Sequence, residues 1–300
     1  MSRRGWILFA TMGIVWGIPY LLIKVAVEHV SVPMLVFTRT AVGAVLLLPL
    51  AIYRGELRAL RPYWRPLVLF AAVEIIGPWW LLSSAEQKLS SSMSGLLIAA
   101  VPIIGAILAL VTGHADRLTP ARWCGLILGL GGVGLLVGPG AHGASAWSVV
   151  EVMLTALGYA IGPQIADRAL AGAPRLGMTA VCLAFAAVVY TPSTVLSLPH
   201  SVPPARVIAA MLGLAVICTA AAFLLFFALI AEVGPARATV ITYVNPAVAV
   251  ALGVAVLNEP FTVAIGVSFV LILTGSVLAT SSRLSRRRPV VPPVGLEPTL

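Results

Sequence analysis

The chain has 300 residues, of which 60% are hydrophobic and 10% charged, with a formal net charge of +9. A water-soluble domain carries about 25% charged residues, so this chain cannot dress a soluble surface, and a soluble enzyme is excluded. The positive charge does not point to nucleic acid, because the basic residues sit between apolar runs rather than along one face.

In chain order, Arg3 and Arg4 precede an apolar run of about 20 residues with no small-residue cleavage site after it, which reads as a first membrane helix rather than a signal peptide. A bilayer core takes about 20 helical residues. On that measure the spans fall at 5–27, 33–53, 66–85, 92–112, 120–139, 146–167, 175–197, 206–230, 236–257 and 261–281. The strict alternation of a membrane β-barrel is absent from the sequence. The predicted fold is an all-α polytopic membrane protein of ten helices. The tail 283–300 is basic and Pro-rich and is expected to be disordered.

With the N-terminus placed in the cytoplasm, fifteen basic residues fall on the cytoplasmic side, among them Arg3, Arg54, Arg117, Arg168, Arg237 and Arg288. Only Lys88 and Arg206 fall on the other side, while Lys24 and Arg39 lie within spans. This asymmetry predicts both termini in the cytoplasm. The abundance of Ala, Val, Leu, Gly and Arg, with Lys and Asn used twice each, fits a GC-rich bacterial genome and hence the cytoplasmic (inner) membrane of a bacterial cell.

The two halves resemble each other. Asp116-Arg-Leu-Thr119 is followed by Gly125 and Gly132, at spacings of nine and seven; Glu259-Pro-Phe-Thr262 is followed by Ser268 and Gly275 at the same spacings. Pro102 and Pro246 likewise sit inside matching apolar helices. The offset of 143 or 144 residues divides the chain into five-helix repeats at 1–140 and 141–282. An odd number of spans per repeat makes the second enter the membrane from the opposite side, as in secondary transporters with inverted repeats.

Trp16-Gly17 with Lys24 in span 1, Pro33 followed by Arg39 in span 2, the Pro102 and Pro246 helices, and the Glu259-Pro-Phe-Thr and Gly275 ends form an ordered set. It resembles the EamA-type transporters of the drug/metabolite transporter superfamily, over about residues 5–281. The chain departs from that pattern at Asp116, where the first repeat usually has Glu, and at Leu157-Gly158-Tyr159, where a Trp-containing version is usual. The resemblance implies no metal or organic cofactor, no enzyme activity, and export of a small-molecule substrate such as an amino-acid-like metabolite. The expected surroundings are membrane lipid and no nucleic acid, and a homodimer is left open. The alternative is a non-transporting membrane scaffold or receptor with a vestigial cavity.

Other motifs carry little chemistry. Gly129-Leu-Gly131-Gly132-Val-Gly134 fits a dinucleotide fingerprint, but it lies inside an apolar helix with no preceding strand, so close helix packing accounts for it. His29, His114, His142 and His200 are scattered in loops, which supplies neither a metal site nor a general base at depth. Cys124, Cys182 and Cys218 read as small packing residues.

The informative residues are polar groups at bilayer depth, where a charge costs about 2.5–3.5 kcal/mol on insertion scales. Glu74 falls near the middle of span 3, and Arg39 about six residues into span 2. Lys24 and Glu151 are close enough to span ends to have structural roles. Glu74 could exchange a proton or touch substrate, or it could form a fixed ion pair with Arg39. Trp16, Tyr20, Tyr159, Tyr243 and Asn245 are expected to join Arg39 and Glu74 around a substrate cavity built mainly by spans 1, 2, 3, 6 and 9, whereas Trp79 and Trp80 fit an interfacial belt. Pro102 and Pro246 are the expected hinges, since each removes a backbone donor inside a membrane helix.

Overall fold

The computed structural model describes residues 2–112, 119–138, 145–199 and 201–280. Asp116, His114, His142, His200 and the tail 283–300 lie outside them. Among the described residues, ten helical stretches are long and apolar enough to cross a membrane: Arg3–Val27, Val32–Tyr53, Arg61–Ala85, Ser91–Val111, Pro120–Val137, Ala146–Ala169, Arg175–Leu196, Ala205–Val233, Val240–Leu257 and Val263–Thr280. These are spans 1 to 10, and no strand occurs among the described residues. Ten crossings put Arg3 and Thr280 on one side of the bundle, here called the near side; the other is the far side.

Several spans are not single helices, and proline sets two of the interruptions. Span 4 breaks between Ser91–Ile98 and Val101–Val111, with Pro102 in the first turn of the second piece. In span 9, Pro246 opens the helix Asn245–Leu257 after a 3-10 turn at Thr239–Tyr243. A proline at a helix start costs no hydrogen bond there, but it cannot continue the helix before it. Neighbouring spans answer the freed backbone. The Ser276 hydroxyl of span 10 donates to the Ala99 carbonyl at 2.8 Å.

Spans 3 and 8, which occupy matching places in the two halves, each contain a π-helical segment, Ala71–Ile76 and Gly213–Ala221. Such segments wind a helix one residue wider and are common at functional sites. In span 3 the cause is legible: Pro78 lacks the N–H that would close the turn.

Spans 5 and 10 cross through glycine. A Cβ on Gly125 would stand 2.4 Å from the Ala279 backbone nitrogen, and one on Gly275 would stand 2.4 Å from the Gly129 nitrogen. The glycine pattern in span 5 therefore permits backbone-to-backbone approach in lipid. Gly131 and Gly134 meet nothing within 4 Å, so the nucleotide-like spacing is incidental.

The packing differs between the two sides. Toward the far side one continuous core joins spans 1, 3, 4, 6, 8 and 9 through Ile23, Leu82, Leu96, Val152, Leu214 and Ala249, and it continues along spans 4, 5 and 10 toward the near side through Ile103, Leu126 and Ala279. Toward the near side, spans 2, 3 and 7 pack around Leu47, Leu67 and Leu183, whereas spans 1, 8 and 9 pack separately around Met12, Leu229 and Ile241.

Candidate functional site

Arg39 is the centre of the interior polar cluster. Its side chain is 9% exposed, and its guanidinium carbon stands 3.6 Å over the Trp79 ring. Its Nε donates to Thr219 Oγ1 at 2.9 Å, while the Thr219 hydroxyl donates to the Leu214 carbonyl at 2.8 Å. Thr219 can reach back five residues because span 8 is π-helical there. A planar cation on an indole face is held both electrostatically and by packing. Among the described residues, no protein group takes the terminal nitrogens of Arg39.

Three aromatic or acidic groups complete the niche. Tyr20, 6% exposed, and Tyr159 both lie within electrostatic reach of Arg39, and Tyr159 stands beside Trp79. Glu74 lies within reach of the same Tyr159, but it is not paired with Arg39 within 4.0 Å. The Glu74 Oε2 atom is buried without a partner. It rests against span 6, where a Cβ on Gly162 would meet it at 1.8 Å and a Cβ on Gly158 would meet the Val73 carbonyl at 2.5 Å. Gly158 and Gly162 are thus the surface that admits the widened segment of span 3. Closer to the near side, spans 3 and 6 part to leave an open cleft of about 490 Å³ lined by Arg65, Leu69, Ile161, Gln164 and Arg168, none of them a residue of the niche.

The other sequence-derived candidates lie elsewhere. Trp16 packs on span 8, its ring 4.7 Å from that of Phe226 and 6.2 Å from that of Phe223. The Asn245 amide, oriented to satisfy both neighbours, donates to the Gly13 carbonyl at 3.1 Å and the Ile241 carbonyl at 3.0 Å, tying span 1, which breaks between Arg3–Val15 and Pro19–Val27, to span 9. A Cβ on Gly17 would overlap Val248 at 2.4 Å, so that glycine serves the same contact. The Tyr243 hydroxyl is 2.8 Å from Thr280 Oγ1, at the near-side end of span 10. Span 8, rather than span 9, therefore contributes to the niche.

Two side chains supply what sequence reading missed. Trp79, assigned to an interfacial belt, is 6% exposed beneath Arg39, and Trp80 stacks on Tyr190 with ring centroids 5.7 Å apart. Thr219 carried no signal of its own, since threonine is common in membrane helices. Glu151 accepts from the Ser84 hydroxyl at 2.7 Å, a structural contact between spans 3 and 6.

The halves found above by their shared spacing also match a protein family twice over. The EamA-like transporter family matches residues 3–138 and again residues 146–281. The chain belongs to this family. It is a ten-span member built from two inverted repeats, and membership places it among membrane transporters rather than enzymes.

The inner membrane transporter YedA of Escherichia coli (strain K12) is 26% identical over 289 residues, covering 94% of this chain and 92% of that protein. The transporter YvbV of Bacillus subtilis (strain 168) is 22% identical over 295 residues, 97% and 96% of the two chains. A protein of Streptantibioticus cattleyicolor, described as a probable terminal-alkyne amino-acid exporter, is 26% identical over 305 residues, 98% of each chain. One crystal structure superposes with a TM-score of 0.66 at 20% identity, covering 93% of this chain and 97% of that one, a likeness of fold alone.

Proposed function

We propose that this EamA family member is a secondary transporter of the bacterial inner membrane that exports a small amphoteric metabolite of the amino-acid type. The observation that carries the reading is the niche itself. Arg39 is held on Trp79 and Thr219 with its terminal nitrogens unengaged, and Glu74 stands unpartnered beyond Tyr159. A fixed cation and a separate carboxylate that do not neutralise each other suit a solute carrying both charges. Arg39 would take its carboxylate through paired N–H donors, and Glu74 would take its ammonium group. The amino-acid exporter among the relatives supports the same class of solute.

The near side is assigned to the cytoplasm, because the basic residues of the even-to-odd turnovers belong there. The split packing on that side would then open the niche toward the cytoplasm, while the shared core on the far side shuts it from the exterior. Pro102 and Pro246, at matching breaks in spans 4 and 9, are the points about which the two states would exchange.

Export is tested by loading proteoliposomes with a mixture of labelled amino acids and following efflux. Saturable efflux of one or a few members is expected; no flux for any solute from correctly folded protein would favour the scaffold reading. For topology, alkaline phosphatase fused within 139–145 or 198–204 should be active, and a fusion after Arg283 inactive, with a fluorescent reporter giving the opposite pattern. An active phosphatase after Arg283 would invert the assignment.

A further inference from the structure

The far-side seal contains a second carboxyl group that the niche does not use. Glu86, immediately after span 3, is 0% exposed, and neither of its carboxylate oxygens has a hydrogen-bond partner. The groups around it are engaged by other atoms. Lys24 of span 1 donates its ammonium to two backbone carbonyls, those of Glu86 at 2.7 Å and Leu89 at 2.9 Å. Glu259, from the connection between spans 9 and 10, accepts the Ser91 and Ser92 N–H groups at 2.7 and 2.9 Å and so caps the start of span 4. Arg39 is held by Thr219 and Trp79. The charged groups within electrostatic reach of Glu86 are Lys24, Glu259 and Arg39, and Tyr20 faces it from span 1. The hydroxyls of Ser91, Ser92 and Ser94 are also buried without partners.

A buried carboxylate without hydrogen bonds is costly, and such a group is neutralised instead. A sodium ion would need a close shell of oxygens around it. A proton needs no shell.

We propose that Glu86 is a proton-binding latch: the far side shuts only with Glu86 protonated, and opening wets the group and releases the proton outward. The Glu259–Ser91 and Glu259–Ser92 bonds join the two repeats across this seal, so parting them would expose Glu86. The latch rests on the alternating-access reading above, but its first test does not.

Infrared spectroscopy of the full-length protein in lipid should show a protonated carboxyl stretch at pH 7 that is lost in Glu86→Gln and kept in Glu74→Gln. Sodium should leave it unchanged. If wild-type protein has no such band, if the band survives Glu86→Gln, or if sodium converts it to a carboxylate band, the proposal fails. Should Glu86→Gln fold poorly, Glu86→Asp, which keeps the carboxyl, should shift the band, and an unshifted band would overturn the assignment.

The second test places spin labels through Lys88→Cys and Phe261→Cys, both exposed and one in each repeat, in a Cys124→Ser background. Uptake of one proton on closure predicts that the open-to-shut ratio rises about tenfold per pH unit as the shut state holds and the open state releases the proton. Glu86→Gln should abolish that slope. A band without any pH-dependent distance change would overturn the latch and leave protonation standing. Absence of solute flux alongside an intact band would instead count against transport.

Discussion

Gly275→Val should lower thermal stability by about 3 kcal/mol and leave little monodisperse protein, the largest folding effect expected of any single substitution here. The Gly275 Cα faces the Gly129 nitrogen and the Gly125 carbonyl, which a Cβ would meet at 2.4 and 2.7 Å. Both are backbone atoms, so no side chain can rotate away, and relief requires spans 5 and 10 to separate. Separation forfeits the packing that holds helices together in lipid, where no hydrophobic force replaces it. Gly131→Ala, six residues from Gly125 but facing open space, should change stability by less than about 0.5 kcal/mol. Thermal unfolding of both variants in the same lipid checks the contrast. Equal effects would mean that spans 5 and 10 do not meet as described.

Arg39→Met is expected to reduce solute flux roughly ten- to hundredfold, the range that one lost charge-assisted hydrogen bond supplies. Methionine can still lie on Trp79, and Thr219 keeps its bond to the Leu214 carbonyl, so the fold should survive. Arg39→Lys should recover only part of the flux, because an ammonium is a point charge that neither stacks on the indole nor presents two parallel donors. Glu74→Gln should impair the same solutes through their ammonium end. The double variant should fall short of the product of the single losses if both groups hold one molecule. Flux per inserted protein, measured beside melting temperature, separates these outcomes from misfolding. Wild-type flux in Arg39→Met would remove Arg39 from the solute path.

The number of helices, their inverted duplication and the family were legible in the sequence because they depend on local properties. Apolar runs of bilayer length must be helical in lipid, since no water is present to satisfy their backbone. The repeat at 143 or 144 residues survives as spacing among Thr119, Gly125, Gly132 and their counterparts, whatever the packing. The cost of burying Arg39 and Glu74 also singles them out without coordinates.

Tertiary structure decided which polar groups meet. Asn245 and Trp16 have the right depth for a cavity, yet each faces a neighbouring helix, Asn245 toward the Gly13 carbonyl and Trp16 toward Phe226. Rotation about the helix axis separates these outcomes, and in a helix apolar on every side the residue pattern carries little information about rotation. The π-helical turn of span 8 was equally hidden: no proline marks it, but it allows Thr219 to reach Leu214 and stand under Arg39. Glu86 was overlooked because it follows span 3 at a position that reads as a loop. Only the closure of spans 1, 4 and 9 over it turns a solvated carboxylate into a buried one, and burial is a property of neighbours rather than of sequence.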